Sequence, residues 1–64
     1  MLGEYLKKYR LKHNLKQSEM AEMIGTSQSY YSRIETEKAQ PDINIIRKIA
    51  KALHVEESFI RSLI

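Results

Sequence analysis

Apolar positions recur every three or four residues along the chain, the spacing that places side chains on one face of an α-helix. The first predicted helix runs from about Leu2 to His13. Asn14 follows it, and because asparagine tolerates positive φ, we expect this residue to end the helix. The apolar face of the helix is formed by Leu2, Tyr5 or Leu6, Tyr9 and His13.

Two short helices are predicted in the middle of the chain. The second helix runs from Gln17 to about Ile24 and ends at Gly25. The third begins at Gln28, runs to about Thr36, and has Ser27 as its expected N-cap. The inward positions of this pair are Met20, Ala21, Ile24, Tyr31 and Ile34. The outward positions of the third helix are Gln28, Ser29, Tyr30, Ser32 and Arg33.

Two further helices complete the chain. Asp42, just after Pro41, is a favourable N-cap for a fourth helix from about Ile43 to Leu53. Its expected buried residues are Ile43, Ile46, Ile49, Ala50 and Leu53. A last helix is predicted from Glu56 to Leu63. No repeat, low-complexity stretch or linker interrupts the sequence, so we expect one all-α domain over residues 1–64.

The composition excludes several classes of protein. The 64 residues include no cysteine, and the two histidines lack metal-ligand spacing, so no metal or cofactor is expected. Apolar runs never exceed two residues, which argues against a membrane span or signal peptide and favours a cytoplasmic protein. There is no glycine-rich phosphate loop and no nucleophile–base motif. An enzyme or a small-molecule site is therefore not expected.

Positive charge is concentrated in the first half of the chain. The net charge is +3, and residues 1–33 carry six basic and three acidic side chains, whereas residues 34–64 carry five of each. This asymmetry favours a polyanionic partner on the N-terminal side. An ordinary solvated helix face would give the same pattern, so charge alone does not decide between them.

The segment from Gln17 to Glu35 carries the functional signal. Two short helices can cross at about 90–120° over so short a turn only under particular conditions. The turn needs a residue that accepts left-handed backbone angles, which Gly25 provides. The second helix needs a small side chain where the third presses on it, which is Ala21. The outward side chains of the third helix are then available to a partner.

In these features the chain resembles the helix-turn-helix domains of the phage repressor and Cro type, also called the xenobiotic-response-element family. The resemblance covers essentially all 64 residues. It implies a five-helix, lambda-repressor-like fold in which helices 2 and 3 form the helix-turn-helix. The residues that carry it are Arg10, LKQSEMAEMIG from Leu15, SQSYYSRIE from Ser27, Pro41, and IRKIAKAL from Ile46.

The resemblance implies that the third helix enters the major groove of double-stranded DNA. Its base-contacting positions are Gln28, Ser29 and Arg33. Glutamine can pair with adenine and arginine with guanine. Gln17 would bind a phosphate through its side chain and the helix N-terminus. The other residues expected to contact the DNA backbone are Lys16, Ser27, Tyr30, Ser32 and Lys38. Alternatively, Tyr30 packs its ring on the protein surface and makes no contact with DNA.

The resemblance also implies a structural ion pair between Arg10 and Glu35, which would tie the first helix to the recognition helix. The chain departs from the family at two positions where glycine is usual. Glu37 changes the cap after the third helix, and an acid there would weaken phosphate binding locally. His54 must take left-handed angles or change the turn. His13, near a helix C-terminus, is expected to be structural rather than a pH sensor.

One recognition helix contacts too few base pairs to select a site, so the resemblance implies a homodimer on a palindromic operator. We expect the dimer contact at Phe59, Ile60, Leu63 and Ile64, unless the dimerisation part lies outside this chain. The predicted function is that of a transcriptional regulator, a repressor by operator occupancy. The alternative is a protein-interaction module on the same scaffold, such as an antitoxin or co-regulator.

Overall fold

The computed structural model describes every residue from Met1 to Ile64 and contains five helices and no strand. The helices are α1 (Leu2–Lys12), α2 (Gln17–Ile24), α3 (Gln28–Glu35), α4 (Ile43–Leu53) and α5 (Glu57–Ser62). All five predicted helices are confirmed. The ends that differ from the prediction, in α1, α3 and α5, do so by one residue, the scatter expected at helix termini.

Local signals begin and end the helices at the residues that the sequence predicts. Ser27 accepts a hydrogen bond from the Tyr30 amide through its hydroxyl, and Asp42 caps α4 in the same way. Gly25 adopts φ 91° after α2. Asn14 and His54 also take left-handed backbone angles, each with φ 56°. The expected departure at His54 is therefore accommodated by the backbone of the residue itself.

The core draws apolar side chains from all five helices. Tyr31 is its largest fully buried side chain and lies on the inward face of α3. Burial of this one connected cluster supplies the main stabilisation of the fold. Its members are Leu2, Leu6, Met20, Ala21, Ile24, Tyr31, Ile34, Ile46, Ile49, Ala50, Leu53 and Ile60.

Two predicted positions, Ile43 and Ile60, are wrong. Ile43 is 46% exposed because it lies at the edge of the apolar stripe of α4, in the first turn. His13 is the exposed C-cap of α1, and its ring lies against Tyr9, on the face of α1 predicted for both residues. Ile60 is fully buried, so this side chain is not available for the expected dimer contact. Phe59 and Ile64 remain exposed, at 41% and 44%.

A close backbone contact holds α1 against the C-terminal end of α3. Gly3 is buried, and a Cβ atom there would overlap the carbonyl oxygen of Glu35. The Glu37 carboxylate accepts a hydrogen bond from the Gly3 amide at 2.8 Å, which satisfies a donor in the first turn of α1. Glu37 makes this contact from a left-handed conformation, φ 63°.

No helix in the structure has both the length and the apolar character needed to span a membrane.

Candidate nucleic-acid interface

The α2–turn–α3 unit presents α3 to solvent along one side. The turn begins at Gly25, whose carbonyl oxygen accepts a hydrogen bond from Lys48 Nζ of α4 at 3.4 Å. Tyr31 and Ile34 bury the opposite side of α3 in the core. These two anchors fix the rotation of α3 about its own axis, and therefore fix which of its side chains face outward.

Three exposed polar residues form the α3 outer face, defined here as Gln28, Ser29 and Arg33. None of their side chains makes a hydrogen bond within the chain. Arg33 also forms no ion pair. The three positions expected to contact bases are therefore all exposed on α3, with their hydrogen-bonding groups available.

The other polar side of α3 is fully used inside the molecule. The Glu35 side chain is only 4% exposed and forms a two-bonded ion pair with Arg10, whose side chain is 13% exposed. Arg10 Nη2 and Nε donate to the two carboxylate oxygens at 2.9 and 3.0 Å. The Tyr31 hydroxyl donates to Oε2 at 2.5 Å, and Gln17 Nε2 donates to Oε1 at 3.2 Å. We call Glu35, Arg10, Tyr31 and Gln17 the Glu35 cluster.

Ionisation in the Glu35 cluster follows from these contacts. Burial alone would raise the pKa of Glu35, but hydrogen bonds from Arg10, Tyr31 and Gln17 outweigh it and hold the pKa below its ordinary 4.5. Burial, and then the hydrogen bond to Glu35, raises the pKa of the Tyr31 phenol. The hydrogen bond to Glu35 likewise raises the pKa of Arg10, against desolvation. The carboxylate and guanidinium are therefore charged at neutral pH.

Gln17 lies between the cluster and the surface. It is half-buried at the first position of α2, and one N–H of its amide is used on Glu35. A primary amide carries a second N–H, so the contact with Glu35 does not exhaust the donors of Gln17. The structure thereby places the expected phosphate ligand next to the ion pair, a contact that sequence spacing did not indicate.

The first turn of α2 has backbone donors that no side chain caps. Lys16 is the N-cap residue, and an ammonium group cannot accept a hydrogen bond. The Glu19 carboxylate accepts from the Lys16 amide at 2.8 Å, one position before the helix begins. The amide donors of the first turn therefore remain open toward solvent, beside the exposed Lys16 side chain.

The other residues expected to contact the DNA backbone differ in how available their side chains are. Lys38 is exposed in the loop after α3. Ser27 already accepts from the Tyr30 amide but keeps its hydroxyl hydrogen. Ser32 is half-buried. Tyr30 packs against the core, and its hydroxyl donates to the Gln40 carbonyl at 3.4 Å, as in the alternative of a ring packed on the protein.

Sequence reasoning missed the structural contacts of two residues that position α3. Gly3 allows α1 to approach Glu35, and Glu37 caps α1 with its carboxylate. An interior helical glycine is the signal for the first, since glycine is unfavourable there without a packing reason. Glu37 gave no comparable signal, because its partner lies 34 residues away. No group of three histidine or acidic side chains could hold a metal ion.

Comparison with known proteins places these features in a family. A helix-turn-helix family model matches residues 6–60. The SPβ prophage-derived HTH-type transcriptional regulator YonR of Bacillus subtilis is 35% identical over 60 residues, 94% of this chain and 56% of the relative. The HTH-type transcriptional regulator SinR of the same species is 36% identical over 56 residues, 86% of this chain and 50% of the relative.

A third relative is similar in length to this chain. It is an HTH-type transcriptional regulator of Methanocaldococcus jannaschii, 39% identical over 57 residues, with 86% of both chains covered. The chain spans about half the length of the two Bacillus subtilis relatives, 56% and 50%. No solved structure matches the chain significantly.

Proposed function

Because the chain belongs to the Cro/C1-type helix-turn-helix family, we propose that it is a sequence-specific DNA-binding transcriptional regulator that inserts α3 into the major groove. The observation that carries the proposal is the α3 outer face. Gln28, Ser29 and Arg33 are exposed, and their side chains have no hydrogen-bond partners in the chain. The eight residues of α3 make a helix about 12 Å long, which the major groove can admit.

Each residue of the outer face has a distinct chemical role in this proposal. Gln28 offers an amide that can donate to and accept from the edge of adenine. Arg33 offers a planar guanidinium that suits the two acceptors of guanine, and it has no acidic neighbour within ion-pair distance. Ser29 supplies a small hydroxyl that can serve either base. Discrimination between sequences is therefore assigned to these side chains.

The phosphate contacts set the position of α3 in the groove. Gln17 presents its second amide N–H, and the uncapped first turn of α2 presents backbone donors toward the same anion. The exposed Lys16 and Lys38 add positive charge, and Ser27 and Ser32 add hydroxyl donors. Tyr30 contributes by holding the loop that follows α3, because its hydroxyl donates a hydrogen bond to the carbonyl of Gln40.

The regulator acts as a twofold dimer on a palindromic operator, as a repressor that occupies the site. The recognition helices of such a dimer lie about 34 Å apart. The Cα atoms of one domain span 25 × 22 × 19 Å, so two adjacent copies with their side chains are of the right size. Leu63 and Ile64 supply the apolar contact, since Ile60 is buried and Phe59 packs edge-on against Tyr5 of α1.

Selection of bound sites from random duplexes tests this function. We expect a palindromic consensus whose half-sites are one helical turn apart, and sedimentation should show two protein copies on each selected duplex. Affinity should fall with salt, with a log–log slope of about −0.9 for each phosphate neutralised. Recovery of no consensus at low salt would contradict sequence-specific binding. A consensus without symmetry would contradict the dimer alone.

A further inference from the structure

The proposed DNA interface leaves the lysines of α1 without a role. Lys7, Lys8 and Lys12 are exposed, and none forms an ion pair. Lys8 and Lys12 each lie two residues from Arg10, a rotation of about 200° around the helix axis. Because Arg10 points at Glu35 of α3, these two lysines lie on the flank of α1 that faces away from α3.

This flank carries a groove of about 360 Å³, which we call the α1 groove. The rings of Tyr5 and Tyr9 are half-buried and pack against the core, so they form an apolar floor. The exposed Lys8 and Lys12 border it. The ring of His13 lies against Tyr9, with centroids 4.2 Å apart. The groove therefore combines apolar ring surface with two positive charges that have no partner in the chain.

Tyr5 connects the α1 groove to a second, larger groove beside α4 and α5. This α4–α5 groove has a volume of about 810 Å³ and is lined by Tyr5, Phe59, Arg47 and Lys51, among others. Phe59 meets Tyr5 edge-on, with ring centroids 5.2 Å apart. The two grooves thus form one continuous surface with an aromatic pair at its centre.

The charge of this joined surface is positive. Four lysine or arginine side chains and two glutamates line the two grooves, giving 4 − 2 = +2 with both histidines neutral. One of the acids, Glu57, already accepts a hydrogen bond from Arg61 at 3.0 Å and lies 3.5 Å from Arg47. Lys8, Lys12 and Lys51 therefore keep unpaired charge next to the aromatic centre.

We propose that the joined grooves are a docking surface for an acidic amphipathic helix of a partner protein. Apolar side chains at helical spacing would pack on Tyr5 and Phe59. Glutamate or aspartate side chains on either edge of that helix would meet Lys8 and Lys12 on one side and Lys51 on the other. Such an arrangement makes the two surfaces complementary in both shape and charge.

Two other occupants fit the surface less well. Single-stranded nucleic acid stacks its bases on open ring faces, but His13 lies against Tyr9 and Phe59 lies against Tyr5. Duplex DNA contacts basic side chains through phosphates and gains nothing from an apolar floor. A second copy docked face to face would bring lysines against lysines, and like charges repel. A partner of opposite charge satisfies all these constraints.

Three designed peptides of about 18 residues test the proposal by fluorescence anisotropy. One carries leucine at helical spacing with flanking glutamates, the second has lysine in place of each glutamate, and the third has the glutamates but serine in place of leucine. We expect the leucine–glutamate peptide to bind at least about tenfold more tightly than either control. Equal binding of the third peptide would overturn the proposal in favour of non-specific charge attraction.

A pair of charge-matched variants locates the site. In Lys8→Gln/Lys12→Gln, affinity for the leucine–glutamate peptide should fall about three- to tenfold, while binding of a duplex changes little. In Lys16→Gln/Lys38→Gln, which removes the same charge, the pattern should be reversed. The proposal is overturned if both variants lose peptide affinity equally. It is also overturned if the α1 variant loses duplex affinity as strongly as the control does, because the lysines would then belong to the nucleic-acid surface.

Discussion

The polar side chains of α3 fall into two groups, one bonded within the chain and one left unbonded at the surface. On one side, Glu35 receives four hydrogen bonds from Arg10, Tyr31 and Gln17, and no buried side-chain polar atom in the molecule lacks a partner. On the α3 outer face, three side chains of comparable hydrogen-bonding capacity find no partner in the chain. Hydrogen bonds within the chain stabilise the fold. Donors and acceptors that are held in place but have no partner in the chain favour the binding of another molecule.

The comparison also explains how one eight-residue helix can serve both purposes. Burial of Tyr31 and Ile34 fixes the rotation of α3, and the Glu35 cluster fixes its C-terminal end against α1 and α2. The outer face then needs no internal contacts of its own. We therefore expect substitutions on the inner side to change stability and those on the outer side to change DNA recognition, with little overlap.

The largest effect is expected on the inner side. Arg10→Met leaves the Glu35 carboxylate buried without its cation, which should cost about 3–5 kcal/mol of unfolding free energy. The total for a 64-residue domain is about 3–10 kcal/mol, so much of the stability is lost. Urea unfolding followed by circular dichroism measures the loss.

An exposed ion pair in the same chain provides the control. Arg47 lies 3.5 Å from Glu57, with both side chains substantially exposed, so Arg47→Met should cost less than about 1 kcal/mol. Losses of similar size in the two variants would show that the buried Arg10–Glu35 pair stabilises the fold no more than an exposed ion pair does.

On the outer side, Arg33→Ala should reduce discrimination at one base pair of each half-site by about 1–3 kcal/mol. Stability should be almost unchanged, since the side chain is exposed and makes no ion pair. Binding to duplexes with single base-pair changes measures the discrimination. The matched substitution Lys16→Ala should weaken all duplexes alike and reduce the salt slope by about 0.9. If Arg33→Ala behaves in the same way, its assignment to a base is wrong.

The inner side should also respond to pH. Because the folded pKa of Glu35 lies below its ordinary 4.5, the unfolded chain binds more protons between those two values. The stabilisation is complete above about pH 4.5 and is lost as the pH falls through the folded pKa. Urea midpoints of the wild type and Glu35→Gln, compared at pH 7 and pH 3, should therefore converge on acidification. A constant difference between the two proteins would contradict the lowered pKa.

The smallest effects are expected at the left-handed residues. His54 has φ 56°, and its side chain makes no hydrogen bond, so His54→Gly should stabilise by about 0.5–1 kcal/mol. Glu37 has φ 63° but also caps Gly3. In Glu37→Gly, the stability gained by relieving the backbone should therefore be offset by the loss of the hydrogen bond to Gly3. Thermal unfolding compares the two. Equal stabilisation by both substitutions would mean that the Glu37 carboxylate contributes nothing.

The elements with local causes could be predicted from the sequence. Gly25 ends α2, Ser27 begins α3 and Asp42 begins α4 through contacts within a few residues, so these three helix ends were located correctly. The rotation of α3 followed from Tyr31 and Ile34 on one face. This was enough to predict that Gln28, Ser29 and Arg33 face away from the core and are exposed.

The contacts between distant residues could not be derived in this way. Only the family resemblance indicated Glu35 as the partner of Arg10, 25 residues away. The hydrogen bonds of Tyr31 and Gln17 to the same carboxylate depend on how three helices pack. Ile43 was misplaced because it lies at the edge of the apolar stripe of α4, where periodicity does not decide between core and surface.

Titration of the isotopically labelled protein with its selected duplex, followed by NMR, tests the division of α3 most directly. We expect the largest side-chain shifts at Gln28 and Arg33, smaller ones in the first turn of α2, and an unchanged Tyr31 ring. Shifts centred on α1 and α5, with Gln28 and Arg33 unaffected, would contradict the assignment of the α3 outer face to DNA.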